Sequence, residues 1–269
     1  MGETGRALCR PPLAPPHIAG LGDRTLPDTA TDTRLLDDLR RALPIATGPF
    51  DPAAQATGLI IVDEVNGFAT VGAGSLAPPV PNAQVDAMVA ETDRLARRFT
   101  AEGRPILAFL DTHEPGVPEP PYPPHCERGT GEENLVPALA WLDGDANTTQ
   151  IRKDCINGFV GAIRADGSNA LVDWVNTRKL AAVLVVGICT DICVMDLVLT
   201  LLSARNHGLM GSLADIAVLA PACATYDLPR GTAEGLGLPA TAAHPQMPTH
   251  HLGLYFMASR GAVLADRVV

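Results

Sequence analysis

Four short apolar runs constrain this chain more than anything else in it. They are GLIIVD at 58–63, PILAFLD at 105–111, AAVLVVG at 181–187 and IAVLAPA at 216–222. Each is too short to be a helix, and each is apolar throughout instead of alternating, which is the pattern of a strand buried on both faces. Amphipathic stretches separate them: a helix is predicted from Ala83 to Glu102, another over DGSNALVDWVNTRK with Asp166 or Ser168 as its cap, and a third over TDICVMDLVLTLLSARNHG, stopped by Gly208. TTQIRKD at 148–154 reads as a shorter strand, 241–258 as helical, and AVLADR as a terminal strand. Strands alternating with helices predict an α/β fold, a three-layer α/β/α sandwich around a mostly parallel sheet.

The expected organisation is an N-terminal extension over 1–56 and one catalytic domain over 57–269. RLLDDLRRAL places Leu35, Leu36, Leu39 and Leu43 on one face of a short helix that Pro44 ends. Residues 1–28, rich in Pro, Gly and Arg, read as an irregular extension, with a plastid transit peptide as the alternative to a cytoplasmic protein. A formal charge of −10 without a Lys/Arg cluster argues against a nucleic-acid partner. No stretch reaches the roughly 18–20 apolar residues of a membrane span, so a small molecule is the expected partner, and a homo-oligomer stays open. The six cysteines, with no secretory signal, read as mostly reduced thiols.

In a parallel sheet the ligand site lies beyond the C-terminal strand ends, and there the reactive residues gather. Asp63 ends the first strand, Asp111 the second, Lys153 ends or follows the third, and Cys193 opens the helix after AAVLVVG. A thiol becomes a useful nucleophile when its pKa is lowered. A helix start near Thr190 and the charge of Lys153 would do this, while Asp63 takes the proton. The backbone N–H groups of Cys189 and Cys193 could face a tetrahedral oxyanion. Against this stands a Cys193 that is only a small buried hydrophobe, and Cys155 is a rival nucleophile two residues from Lys153. Cys9, Cys126 and Cys223 are expected to pack or sit at the surface.

Asp111 and His113 point to one side of an extended D-T-H segment, and His125 could fold back beyond the Pro-rich loop. Two imidazoles and a carboxylate suit a divalent metal, Zn2+ first, with Fe2+ or Mn2+ as alternatives. A hydrogen-bonded D-x-H without metal is the plain alternative. An iron oxygenase would use the same donors, but it belongs with β-rich barrels. Phe68 and Tyr122 are candidate ring-stacking residues, whereas Trp141 and Trp174 are assigned to packing. His244, His250 and His251 are assigned to solvent, cap or subunit contacts.

Together IIVDEVNGF, FLDTHEPG…PYPPHCERGT, RKDCINGF and VVGICTDICVMD resemble the isochorismatase-like cysteine hydrolases, and among them the nicotinamidases of plants and algae. The resemblance covers nearly all of 57–266. It implies Asp63, Lys153 and Cys193 as the catalytic set and N–H groups of Cys189 and Cys193 as the oxyanion hole. It also implies a cis peptide at Ile188–Cys189, a metal on Asp111, His113 and His125, and a ring wall of Phe68 and Tyr122. The implied reaction is hydrolysis of nicotinamide to nicotinate and ammonia through a thioester. A ureidoacrylate or N-carbamoyl-amide hydrolase, or a non-catalytic protein keeping the fold, are the alternatives. Many bacterial members read D-x-Q-x-D-F where this chain has Val65, which leaves the support of Asp63 open.

Overall fold

The computed structural model describes residues 29–117 and 119–269. The expectations for residues 1–28, Cys9 among them, lie outside the described residues. Helix α1 (Thr29–Ala42) leads to a short strand β1 (Gly48–Phe50) and then β2 (Thr57–Val62). The one-turn α2 (Asn66–Ala69), α3 (Ala83–Ala101), β3 (Ile106–Asp111), β4 (Thr148–Lys153) and the one-turn α4 (Gly158–Gly161) follow. The rest is α5 (Ala170–Thr177), β5 (Ala182–Ile188), α6 (Cys193–Asn206), β6 (Asp215–Ala224), α7 (Arg230–Gly235), α8 (Gln246–Ser259) and β7 (Val263–Val268).

The strands form one sheet in the order β1-β7-β6-β5-β2-β3-β4, and every pairing is parallel. Successive residues of a strand point to opposite faces, and here both faces are covered. Ile60, Val62, Leu107, Phe109, Val183 and Val185 pack with Leu171, Trp174, Leu197 and Leu201 of α5 and α6. Leu59, Ile61, Ile106, Ala108, Leu184 and Val186 pack with Leu95 and Phe99 of α3 and with Leu139 and Leu142. The three-layer α/β/α sandwich follows from that double burial. Among the described residues no helix is long and apolar enough to cross a membrane.

From β2 the chain builds outward through β3 and β4, then returns to the other side of β2 to lay down β5 and β6. The reversal opens a crevice between the ends of β2 and β5. These two strands approach very closely at their ends. A Cβ on Gly187, which has φ +125°, would lie 2.1 Å from the Val62 carbonyl oxygen. Only glycine fits there, and Asp63 comes directly after that contact.

Details of the ends differ from the sequence-based expectations. Asn169, not Asp166 or Ser168, caps α5, its side chain accepting from the N–H groups of Leu171 and Val172. Asp166 instead accepts from Ser168 within the preceding turn. Helix α6 begins at Cys193, three residues past Thr190, because Ile192 N–H and Val194 N–H both return to the Cys189 carbonyl and close a turn first. The N-terminal region contributes β1 to the sheet edge, against β7. His251 Nε2 meets the Leu43 carbonyl at 2.9 Å and ties α8 to the end of α1.

Glu64 follows Asp63 into the interior, where one carboxylate oxygen accepts from Thr92 Oγ1 at 2.6 Å and the other has no hydrogen-bond partner. Burial pushes its carboxyl up to about 8, with the Thr92 bond pulling the other way. The folded state therefore binds this proton more tightly than the unfolded chain does. Its stability contribution is full below the unfolded value of 4.5 and is lost as pH rises through about 8. Urea unfolding at pH 6 and pH 9 is expected to show Glu64→Gln losing about 2–3 kcal/mol less than the native protein over that interval. Equal losses would mean that Glu64 is not the group that titrates.

Candidate active site

Lys153 ends β4 opposite Asp111 at the end of β3, a register that puts an ammonium beside a carboxylate at the sheet's C-terminal edge. Its Nζ lies 2.8 Å from Asp111 Oδ1 and 2.8 Å from Asp63 Oδ2, and donates to the Cys155 carbonyl at 3.0 Å. The Lys153 side chain is fully buried. Burial alone would discharge it, but Asp63, Cys193 and Asp111 hold its pKa well above the ordinary value. Toward Asp63 the contact is a close ion pair without a directed hydrogen bond.

Asp63 has φ +53° and anchors its N–H on the Phe109 carbonyl at 3.1 Å. Burial pushes its carboxyl up to about 6; Lys153 opposes the rise and Asp111 adds to it. Its carboxylate lies near enough to Cys193 for each to act on the other's pKa. Val65 takes no part, since its side chain is buried in the apolar cluster on the α3 face. Asp63 is thus held through its backbone on β3 and by the Lys153 ion pair, while both of its carboxylate oxygens are buried without a hydrogen-bond partner.

Cys193 is the first residue of α6 and is buried. Burial raises its thiol well above the ordinary value; Lys153 lowers it and Asp63 raises it further. Burial thus works against the lowered thiol pKa that the sequence led one to expect. The peptide Ile188–Cys189 is cis. Neither Cys189 N–H nor Cys193 N–H donates to a backbone carbonyl among the described residues. Cys155 is turned elsewhere, its Sγ 3.5 Å from the Asn157 carbonyl. Cys126 and Cys223 are buried.

Asp111 spends its second oxygen on the histidines: Oδ2 lies 3.0 Å from His113 Nε2 and 3.2 Å from His125 Nε2. The loop after β3 doubles back to achieve this, with His113 N–H bonded to the Cys126 carbonyl and Arg128 N–H to the His113 carbonyl. Glu133 pins the turn by accepting from the N–H groups of Gly129 and Gly131 at 2.7 and 2.8 Å. His125 Nδ1 donates to the Pro123 carbonyl at 2.8 Å, which fixes the ring with Nε2 toward Asp111. Asp111, His113 and His125 together form a buried cluster able to hold a divalent metal. Burial opposes its ionisation, but Lys153 and the two imidazoles hold Asp111 far below the usual carboxylate range.

Phe68 from α2 and Tyr122 from the loop both approach His125, with ring centroids 5.6 and 6.0 Å away. Glu119 went unnoticed in the sequence. Its Oε2 lies 3.6 Å from both His113 Nε2 and His125 Nε2, and its Oε1 accepts from Ile156 N–H. Tyr226 was missed as well, although it lies against Cys189 and near Tyr122. Trp141 and Trp174 pack as expected, beside Asp93 and within the α5 face. Cavities of about 370 and 360 Å³ lie elsewhere, between α1 and α8 and at the N-terminal strand ends. Neither gathers a nucleophile, a carboxylate and a buried cation, so chemistry locates the site better than volume does.

The isochorismatase domain model matches residues 57–236. The protein belongs to the isochorismatase family. It is 46% identical over 243 residues to nicotinamidase 1 of Arabidopsis thaliana, across 89% of this chain and 98% of that protein. The fold also matches a solved nicotinamidase from Bacillus subtilis, at TM-score 0.57 and 21% identity over 78% of this chain and 99% of that one. It matches the pyrazinamidase of Pyrococcus horikoshii in complex with zinc at TM-score 0.54 and 21% identity, over 78% and 98% of the two chains.

Two outcomes follow. Lys153→Met leaves two buried carboxylates facing one another, and unfolding measurements are expected to show a loss of about 3–5 kcal/mol; a neutral substitution would mean the pair is not buried as described. His125→Ala, dialysed against Zn2+ and assayed by elemental mass spectrometry, is expected to retain far less metal than the native chain. Unchanged metal content would remove His125 from the cluster's role.

Proposed function

We propose that the protein is a nicotinamidase that hydrolyses nicotinamide to nicotinate and ammonia through a thioester on Cys193. The observation carrying this reading is one buried unit in which Lys153 joins Asp63, beside Cys193, to Asp111 of the His113–His125 cluster. The extent of likeness to the Arabidopsis thaliana nicotinamidase supports the choice of substrate.

Asp63, at about 6, is largely ionised at neutral pH and can accept a proton, while Cys193 is a thiol. The Cys193 sulfur attacks the carboxamide carbon as its proton passes to Asp63, so no free thiolate has to persist beside two carboxylates. The carbonyl oxygen becomes an oxyanion next to the N–H groups of Cys189 and Cys193. The carbon–nitrogen bond then breaks, Asp63 returns the proton to nitrogen, and ammonia leaves a thioester. Water gives a proton to Asp63 as it attacks that thioester; the carbon–sulfur bond breaks and Asp63 reprotonates the sulfur. Lys153 stays charged throughout and screens the negative charge that moves between Cys193 and Asp63.

Asp111, His113 and His125 would hold the metal, which we take to be Zn2+ with Fe2+ or Mn2+ as alternatives, and it supplies a Lewis-acid centre for a ring nitrogen. Phe68 and Tyr122 flank the same ring.

Cys193→Ala is expected to abolish ammonia release from nicotinamide while the fold persists. Asp63→Asn is expected to cut kcat by about 10²–10⁴-fold. Turnover by Cys193→Ala near the native rate would refute the nucleophile. A native enzyme that ignores nicotinamide but releases ammonia from a carbamoyl amide would refute the substrate.

A further inference from the structure

The segment that carries both proposed oxyanion donors, Cys189 to Cys193, is a loop between β5 and α6, and its own backbone bonds fix it only in part. Thr190 N–H donates to the Ala224 carbonyl at 2.8 Å, and the Cys189 carbonyl takes two N–H groups from the turn. The remaining contacts come from the C-terminal part of the chain. His250 Nδ1 lies 2.8 Å from Thr190 Oγ1. His244 Nε2 lies 2.7 Å from Asp191 Oδ2, and its Nδ1 lies 3.0 Å from the Tyr226 carbonyl. The Tyr226 ring stacks on the His244 ring at 3.8 Å and 13°. Helix α8 presses its backbone onto the same loop, since a Cβ on Gly253 would lie 2.8 Å from Asp191 Cα. Of the three histidines assigned to solvent, cap or subunit contacts, His244 and His250 therefore serve the loop instead, and both lie beyond residue 236, where the family match ends.

Of these contacts the His244 pair holds the loop most firmly. Both ring nitrogens of His244 face oxygen atoms, one of a carboxylate and one of a carbonyl. Asp191 is mostly buried; burial works against its charge, and the bond and charge of His244 bring its pKa below the ordinary value. Asp191 Oδ1 has no hydrogen-bond partner. Without His244 this carboxylate would be left buried and uncompensated, and the cheapest relief is for the loop to turn it toward water. Such a turn moves the backbone between Cys189 and Cys193, and small displacements of oxyanion donors cost rate strongly.

We propose that His244 is a positioning residue, which through Asp191 and Tyr226 holds the Cys189–Cys193 loop in the geometry that stabilises the oxyanion. The proposal rests on the amidase reading above. It separates two properties of the site: the sulfur of Cys193 sits on α6 and keeps its reactivity, whereas the Cys189 donor, and its alignment with the Cys193 N–H, depend on the loop.

The test compares native enzyme, His244→Ala and His244→Gln in three measurements. These are nicotinamide turnover, alkylation of Cys193 by iodoacetamide, and reversible addition of the Cys193 thiol across the carbonyl of pyridine-3-carbaldehyde. The aldehyde adduct has an oxygen at the oxyanion position and no leaving group. His244→Ala is expected to lower kcat by about 10–100-fold with KM within about threefold, less than outright loss of an oxyanion donor. It should weaken the aldehyde adduct to a similar degree and leave the alkylation rate within about twofold, which a general loss of structure would not do. His244→Gln keeps a donor toward Asp191 and should recover most of both losses. Native kcat and aldehyde affinity in His244→Ala would overturn the proposal. So would a parallel fall in alkylation, because His244 would then be supporting the whole site. A native enzyme that alkylates at Cys193 but neither turns over nicotinamide nor binds the aldehyde would instead refute the amidase reading, and this inference with it.

Discussion

One buried ammonium holds the site together. Lys153 sits 2.8 Å from a carboxylate oxygen of Asp63 and 2.8 Å from one of Asp111, with no solvent exposure of its own side chain. Taking such a cation out of water costs several kcal/mol. Each contact returns about 6 kcal/mol at an effective dielectric of about 20, so two anions hold the charge where one would leave little margin. The same contacts tie the ends of β2, β3 and β4 to one another. Asp111 extends the connection, giving one oxygen to Lys153 and the other to His113 and His125. The proposed nucleophile and the cluster able to hold a divalent metal are thereby linked through a single carboxylate.

That burial also decides how the thiol works. The start of a helix favours an anion by about 0.3–1 kcal/mol, less than one pKa unit. Burial of Cys193 in the company of Asp63 and Asp111 outweighs this and the pull of Lys153, so its pKa rises. Asp63, raised to about 6, is the complementary group, basic enough to take a proton and acidic enough to give it back. The arrangement favours transfer during attack over a standing thiolate. Burial raises the thiols of Cys223 and Cys126 as well.

Much of this is legible in the sequence because the β strands are buried on both faces, so GLIIVD, PILAFLD and AAVLVVG stand out as unbroken apolar runs. Parallel pairing sends their ends to one edge, and Asp63, Asp111 and Cys193 could be placed there from order alone. D-T-H followed by His125 is legible for a similar reason, since extended backbone repeats every two residues. What escaped depends on contacts between distant segments. The three residues of β1 carry too little pattern to mark a strand. Glu119 and Tyr226 come from loops whose paths are set by bonds such as Arg128 N–H to His113. His244 and His250 reach a loop more than fifty residues earlier, and no local spacing announces that. The Val65 side chain faces the core and bonds nothing, and the Asp63 carboxylate oxygens are left without a hydrogen-bond partner, as the absence of a Gln there led one to expect.

The central claim is that Cys193 forms a covalent bond to the substrate with Asp63 as its proton acceptor. Acid-quenched mixtures of enzyme and nicotinamide, digested and weighed by mass spectrometry, test it directly. The account predicts a nicotinoyl group on the peptide that contains Cys193, present during turnover, gone when substrate is exhausted, and absent in Asp63→Asn. Ammonia release at the full rate with no acyl group on any cysteine would contradict it.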